Sequence, residues 1–239
     1  MPMSKRCIPY TPRSRELADS VIALVSTAGV HLREQELYNV DGDNTWRLLP
    51  GDVSANQLMV THSHYDHQDA DQDINCVFPI DRLRELAAEG IIGGVNDKHL
   101  GFMGYTQNFR DLYERVAPEM AKLISRSKAD AVVLTAGCPL CHRVAAALAR
   151  EIEMTGLPTV FISVAPDQTK QAGPPRVLAP QHFKLGNSLG GPGQRDLQRQ
   201  VLLDALRRLE AREEPGRFWE LEYPAYDSSQ WQPIDLQEA

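Results

Sequence analysis

Cys138 and Cys141 are separated by two residues, a spacing at which two thiols can close a disulfide or share a metal ion. Ala131-Val132-Val133-Leu134 precedes them as a buried-strand pattern, and residues 142–154 follow as a helical one, so the pair falls at a strand-to-helix turn. Pro139 suits an early helical position, where its missing N–H would be unpaired anyway. Unpaired N–H groups and the helix dipole there would stabilise a thiolate at Cys138. Cys141 lies three residues on, on the same face, as a resolving thiol should. Two other readings stay open for the pair: half of a zinc site, for which no second Cys-x-x-Cys exists, and inert packing. Cys7 and Cys76 have no motif around them and read as packing residues.

The second group with chemical potential is Thr61-His62-Ser63-His64-Tyr65-Asp66-His67. It matches His-x-His-x-Asp-His, the first metal-ligand motif of the metallo-β-lactamase superfamily. On extended backbone His62 and His64 would point the same way, with Asp66 and His67 free for a second ion. A zinc site on His62, His64, Asp66 and His67 is therefore the metal alternative. The later histidines, His99, His142 and His182, lack the surroundings that superfamily needs, and the segment after His67 is acidic. The favoured reading has no metal and gives substrate binding or acid–base work to His31, His62, His64, Asp66 and His142.

These residues need a scaffold. Apolar runs at residues 21–25, 57–60, 91–95, 131–134, 158–163 and 176–178 read as strands. Residues 83–88, 108–125, 142–154 and 196–212 read as helices, with Pro118 a candidate kink and Gly90 and Gly156 as stops. Alternating strands and helices predict an α/β fold: three layers, with a mainly parallel sheet flanked by helices in a Rossmann-like arrangement. Residues 1–213 read as a single α/β domain, or two similar fused halves, because Val25-Ser26-Thr27-Ala28-Gly29 echoes Val133-Leu134-Thr135-Ala136-Gly137. Residues 214–239 read as a C-terminal extension packed on the surface or against a partner. His31, His62, His64 and Cys138 all follow strand ends, where ligands bind in open α/β sheets.

Composition narrows the function classes. A formal charge of −7 over 239 residues, with no basic stripe, argues against nucleic acid as a partner. No run approaches the roughly 18 apolar residues of a membrane span, and the start lacks a signal-peptide pattern. Four cysteines are too few for a secreted disulfide scaffold of this length. A cytoplasmic location with a transient, catalytic disulfide is the expectation.

Taken together, Ala23-Leu24-Val25-Ser26-Thr27-Ala28-Gly29-Val30-His31, Gly42-Asp43, His62-Ser63-His64-Tyr65-Asp66, residues 73–83, Gly101-Phe102-Met103-Gly104 and Cys138-Pro139-Leu140-Cys141-His142-Arg143 resemble the glycine/sarcosine/betaine and D-proline reductase family, the group known for selenoprotein B. The matches run from about residue 20 to about residue 193, and the chain's length resembles the small selenocysteine subunit of that family. The resemblance implies reductive cleavage of a C–N or related C–heteroatom bond in a small polar substrate. Relatives carry selenocysteine in the segment matching residues 138–141, placed here at Cys138 with Cys141 the fallback. Cysteine at both positions makes a weaker nucleophile. The resemblance also implies a partner subunit bearing a pyruvoyl group, for which no segment here is a convincing source: either a partner exists or the chemistry has changed. A homo-oligomer is the other assembly left open. The mechanism expected is attack by Cys138, protonation of the leaving group by His62 or His64, release by Cys141, and restoration by an external dithiol such as thioredoxin, with no tightly bound cofactor. A metal-dependent hydrolase, a cofactor-independent racemase or lyase, and a non-enzymatic thiol-carrying subunit are the alternatives.

Overall fold

Val21–Ser26 and Ala131–Thr135 are apolar on successive residues, so they can be buried on both faces, as the central strands of a covered parallel sheet must be. In the computed structural model, described over residues 7–211 and 213–231, they lie side by side at the centre of an eight-stranded sheet. The strands in chain order are β1 (Val21–Ser26), β2 (Val30–Leu32), β3 (Trp46–Pro50), β4 (Leu58–Val60), β5 (Gly94–Val95), β6 (Lys98–Phe102), β7 (Ala131–Thr135), β8 (Thr159–Ile162), β9 (Arg176–Pro180) and β10 (Arg217–Leu221). The sheet order is β10-β9-β8-β7-β1-β6-β3, with β5 paired to the start of β1; β2 and β4 form a separate antiparallel pair. Every pairing in the large sheet is parallel except β3 with β6.

The helices are α1 (Gln68–Gln72), α2 (Ile80–Ala88), α3 (Phe109–Asp111), α4 (Ala117–Ser125), α5 (Pro139–Met154), α6 (Pro166–Ala172) and α7 (Arg195–Glu210). Strand alternation divides the core between them. Ile22, Leu24, Ala131 and Val133 pack with Leu83 and Leu86 of α2 and Val201 and Leu202 of α7. Ala23, Val25, Val132 and Leu134 pack with Met120 and Ile124 of α4 and Val144 and Leu148 of α5. The result is the expected three-layer α/β arrangement. The chain leaves β1 toward β6 on one side, then returns to β7 on the other and continues outward to β10. The strand order therefore reverses between β1 and β7, and the crevice beyond their carboxyl ends is where such sheets bind ligands.

Several elements differ from the sequence expectation, each for a local reason. β3, β6 and β10 mix polar, Gly and Pro residues, so none shows an apolar run. β10 lies in the segment expected to be a C-terminal extension, yet it is the edge strand of the main sheet, parallel to β9. Residues 232–239 of that extension lie outside the described residues. Pro118 stands in the first turn of α4, directly after Leu112–Val116, a turn that widens to π geometry. His99, weighed above as a late metal ligand, is a sheet residue. Its Nδ1 accepts from the Leu24 N–H at 2.9 Å, where β1 passes from β5 to β6.

Candidate active site

The turn after β7 delivers Cys138 to the N-cap of α5, one position before Pro139 opens the helix. Its Sγ accepts the Cys141 N–H at 3.0 Å, the bond a capping hydroxyl would take. The two sulfurs are in disulfide contact across a Cα–Cα distance of 4.9 Å, within the range a disulfide spans. Both side chains are buried, Cys138 at 1% and Cys141 at 0% exposure. Cys76 is buried as expected, but Cys7 is exposed rather than packed.

His62 lies against Cys141, with Nε2 3.1 Å from its Sγ. The other ring nitrogen, Nδ1, accepts the His64 backbone N–H at 3.0 Å. An accepting Nδ1 carries no proton, so neutral His62 holds its proton on Nε2 and donates it to sulfur. A second proton has no place to go. Burial, reinforced by His64 and His67, pushes the pKa of His62 down to about 3. The ring is a fixed neutral donor, which does not suit the imidazolium role expected for it.

The same bond bears on metal binding. His62 Nε2 and the sulfurs of Cys138 and Cys141 lie within 4.8 Å of one another, the one group of three such donors among the described residues. Ligation through Nε2 would need its proton moved to Nδ1, against the His64 N–H. The residues of the zinc alternative do not gather. The segment after Thr61 bends rather than extends, turning His62 inward. His64 stacks on Tyr105 with centroids 3.5 Å apart, Asp66 accepts the Gln68 N–H at the start of α1, and His67 pairs with Asp71 at 2.8 Å.

His31 and His142 are both buried and both fully engaged by the chain. His31 Nδ1 donates to the Leu32 carbonyl and Nε2 accepts from Thr61 Oγ1, each at 2.7 Å, which anchors the backbone just before His62. His142 Nδ1 donates to the Cys138 carbonyl at 2.7 Å and Nε2 accepts the Val164 N–H at 3.3 Å. Burial lowers its pKa to about 4, so it is a neutral strut for the Cys138 turn, with both ring nitrogens engaged by the chain rather than free for substrate.

Other residues that shape the site were not singled out from the sequence. Thr27, at the end of β1, donates from Oγ1 to the Cys141 carbonyl at 2.9 Å. A Cβ at Gly104 would come within 2.7 Å of Cys141 Cα, so only glycine lets that loop approach the thiol. Tyr65 donates to the Ala28 carbonyl at 2.9 Å and passes its ring between Gly137 and Gly186; a Cβ on Gly137 would lie 2.3 Å from the ring. The resemblance series contained Thr27, Tyr65 and Gly104, and that co-occurrence was the available signal.

The neutral histidines set an expected pH dependence. Folded pKa values near 3 for His62 and His99 and near 4 for His142 lie below the unfolded value of about 6.5. Between those limits the unfolded chain binds protons that the folded chain does not. Stability is therefore full above pH 6.5 and falls as pH drops toward 3, by about 1.4 kcal/mol per pH unit for each histidine. Urea midpoints should be level from pH 7.5 to 8.5 and decline between pH 6.5 and 5; a level midpoint down to pH 5 would contradict the neutral assignments.

With the geometry in place, comparison with known proteins decides the family. The sequence model of glycine/sarcosine/betaine reductase selenoprotein B matches residues 1–137, more than half of the chain. The chain belongs to this family. The match ends at the residue before Cys138, but relatives align further. The chain is 39% identical over 214 residues to D-proline reductase subunit gamma of Acetoanaerobium sticklandii, covering 90% of this chain and 88% of that one. It is 27% identical over 212 residues to glycine reductase complex component B subunit gamma of Symbiobacterium thermophilum, and 22% identical over 227 residues to sarcosine reductase complex component B subunit beta of Peptoclostridium acidaminophilum. These cover 84% and 88% of this chain but 49% and 50% of the relatives, so the chain spans about half their length. No solved structure matches the chain. No helix among the described residues is long and apolar enough to cross a membrane.

Proposed function

We propose that this chain is the thiol-bearing subunit of a reductase complex that cleaves a C–N bond in a small amino acid or related amine. The observation that carries this reading is the Cys138 sulfur capping α5, in contact with the Cys141 sulfur that His62 holds. Family membership supports the reductase class. The names of the relatives, all components or subunits of reductases of D-proline, glycine, sarcosine or betaine, supply the substrate class and the expectation of a partner subunit.

In this reading the Cys138 thiolate attacks the carbon beside nitrogen. An S–C bond forms, the C–N bond breaks, and its electron pair leaves with nitrogen, which takes a proton. The Cys141 thiolate then attacks the Cys138 sulfur; the S–C bond breaks, carbon takes a proton, and the disulfide holds the two electrons' worth of oxidation. An external dithiol of the thioredoxin class restores both thiols. The α5 N-terminus stabilises Cys138 as a thiolate through the Cys141 N–H and the helix dipole. His62 steadies Cys141, and the proton for nitrogen comes from another group; His64, half-exposed at the bend beside His62, is the nearest histidine not enclosed by the chain.

The test is turnover of D-proline, glycine, sarcosine and betaine by the chain combined with its complex partners and a dithiol. Consumption of one of them with one disulfide formed per C–N bond cleaved is the expected result. Product formation well beyond one equivalent per chain with no reductant present would overturn the reading in favour of a lyase or racemase.

A further inference from the structure

The disulfide has two sulfurs, and a reductant must choose one. The two are held by different devices. Cys141 Sγ receives the Nε2–H of His62, a donor whose direction is locked by the His64 N–H on Nδ1. Cys138 Sγ receives the Cys141 N–H at the start of a 16-residue helix. In thiol–disulfide exchange the sulfur whose developing negative charge is better stabilised is the one that leaves. When the bond opens, the thiolate at Cys141 is met by a charge-assisted hydrogen bond from a ring that needs no reorganisation.

We infer that His62 sets the direction of disulfide opening: the external dithiol attacks Cys138, and Cys141 departs as the thiolate held by His62 Nε2–H. This rests on the redox reading above. The first reductant thiolate forms an S–S bond to Cys138 while the Cys138–Cys141 bond breaks, its electron pair going to Cys141. The second reductant thiolate then attacks the reductant sulfur of that mixed disulfide. Cys138 leaves as a thiolate at the α5 N-terminus, and the reductant departs as its own disulfide, two electrons having passed to the pair. Substrate and reductant thus meet the same sulfur in turn, and Cys141 acts only inside the protein. The groups around the His62–Cys141 contact are Cys138, His64 and Tyr65, with His67 beyond.

The experiment uses the oxidised full chain and glutathione, a monothiol that stops at the mixed disulfide. After brief exposure, acid quench and alkylation of the freed thiol, fragmentation of the peptide spanning residues 138–141 locates the glutathione. It is expected on Cys138, with the alkyl group on Cys141. Glutathione on Cys141 would overturn the inference and leave the redox reading standing; a pair that dithiothreitol cannot open would overturn both. A second measurement concerns the donor itself. His62→Leu should slow glutathione opening about 10- to 100-fold, the effect of one hydrogen bond to a charged group, and His62→Gln, which keeps an N–H, should recover part of that loss. In Cys138→Ser, adding His62→Leu should raise the midpoint of the pH profile for Cys141 alkylation by about one to two units. An unmoved midpoint would contradict the donor role, because a merely structural ring would not set it.

Discussion

Replacing Cys138 with Ser is expected to lower turnover of the reductase complex by at least about 10³-fold, with no covalent intermediate at any stage. Cys141→Ser is expected to abolish steady turnover to a similar extent while leaving one round of C–N cleavage intact. The difference follows from the site. Both sulfurs are buried, but Cys138 has the capping N–H and helix dipole that make an attacking thiolate, whereas Cys141 is held by His62 against the Cys138 sulfur. From there it is placed to attack the Cys138 sulfur. Serine at 141 keeps the N–H that Cys138 accepts, so the first attack survives and release does not. Quenched-flow measurement of amine release checks this: a burst of about one equivalent for Cys141→Ser and none for Cys138→Ser. Full-rate turnover by Cys141→Ser with dithiol supplied would remove its resolving role.

Arg176→Met is expected to cost about 3–5 kcal/mol of stability without changing the order of thiol chemistry. Arg176 and Glu153 form an ion pair at 2.5 Å with side-chain exposures of 3% and 0%. Glu153, near the C-terminal end of α5, also accepts from the Thr159 N–H and hydroxyl and from the Thr11 N–H, while Arg176 donates to the Thr11 carbonyl and lies over the Tyr10 ring. Burial pushes the Glu153 pKa up and Arg176 pulls it back. Removing the arginine strands a buried carboxylate, and that, more than the worth of the pair, sets the loss. For a domain of this size it corresponds to a fall in Tm of about 6–20 °C. Calorimetry checks it; a change under 1 kcal/mol would mean that Glu153 finds another partner or protonates cheaply. The pair clamps the far end of the helix whose first turn carries both cysteines, so the variant should still form the disulfide well below its lowered Tm.

The elements that were legible in the sequence are those whose burial is uniform. β1, β7 and β8 are apolar on every residue or nearly so, and α5 and α7 show helical spacing. β6 was not, because Lys98-His99-Leu100-Gly101-Phe102 owes its place to neighbours: His99 mends the ladder at Leu24, and Gly101 lets the Val30 carbonyl approach. At the site, the Cys-x-x-Cys turn was legible because Pro139 and the flanking strand and helix fix its position locally. The histidines were legible as a cluster but not in their roles. Those depend on which nitrogen meets which backbone group, and a bend at residues 63–65 decided that for His62, as Val164 did for His142. Tyr65 carried no signal of its own, since its part depends on two glycines 49 positions apart in the chain, Gly137 and Gly186.

The most direct measurement is the mass of Cys141→Ser stopped during reaction with substrate and partner subunits, followed by peptide mapping. A substrate-derived adduct of one equivalent, located on Cys138, is the expected result. An adduct on any other residue, or sustained product formation with Cys138 unmodified throughout, would contradict it.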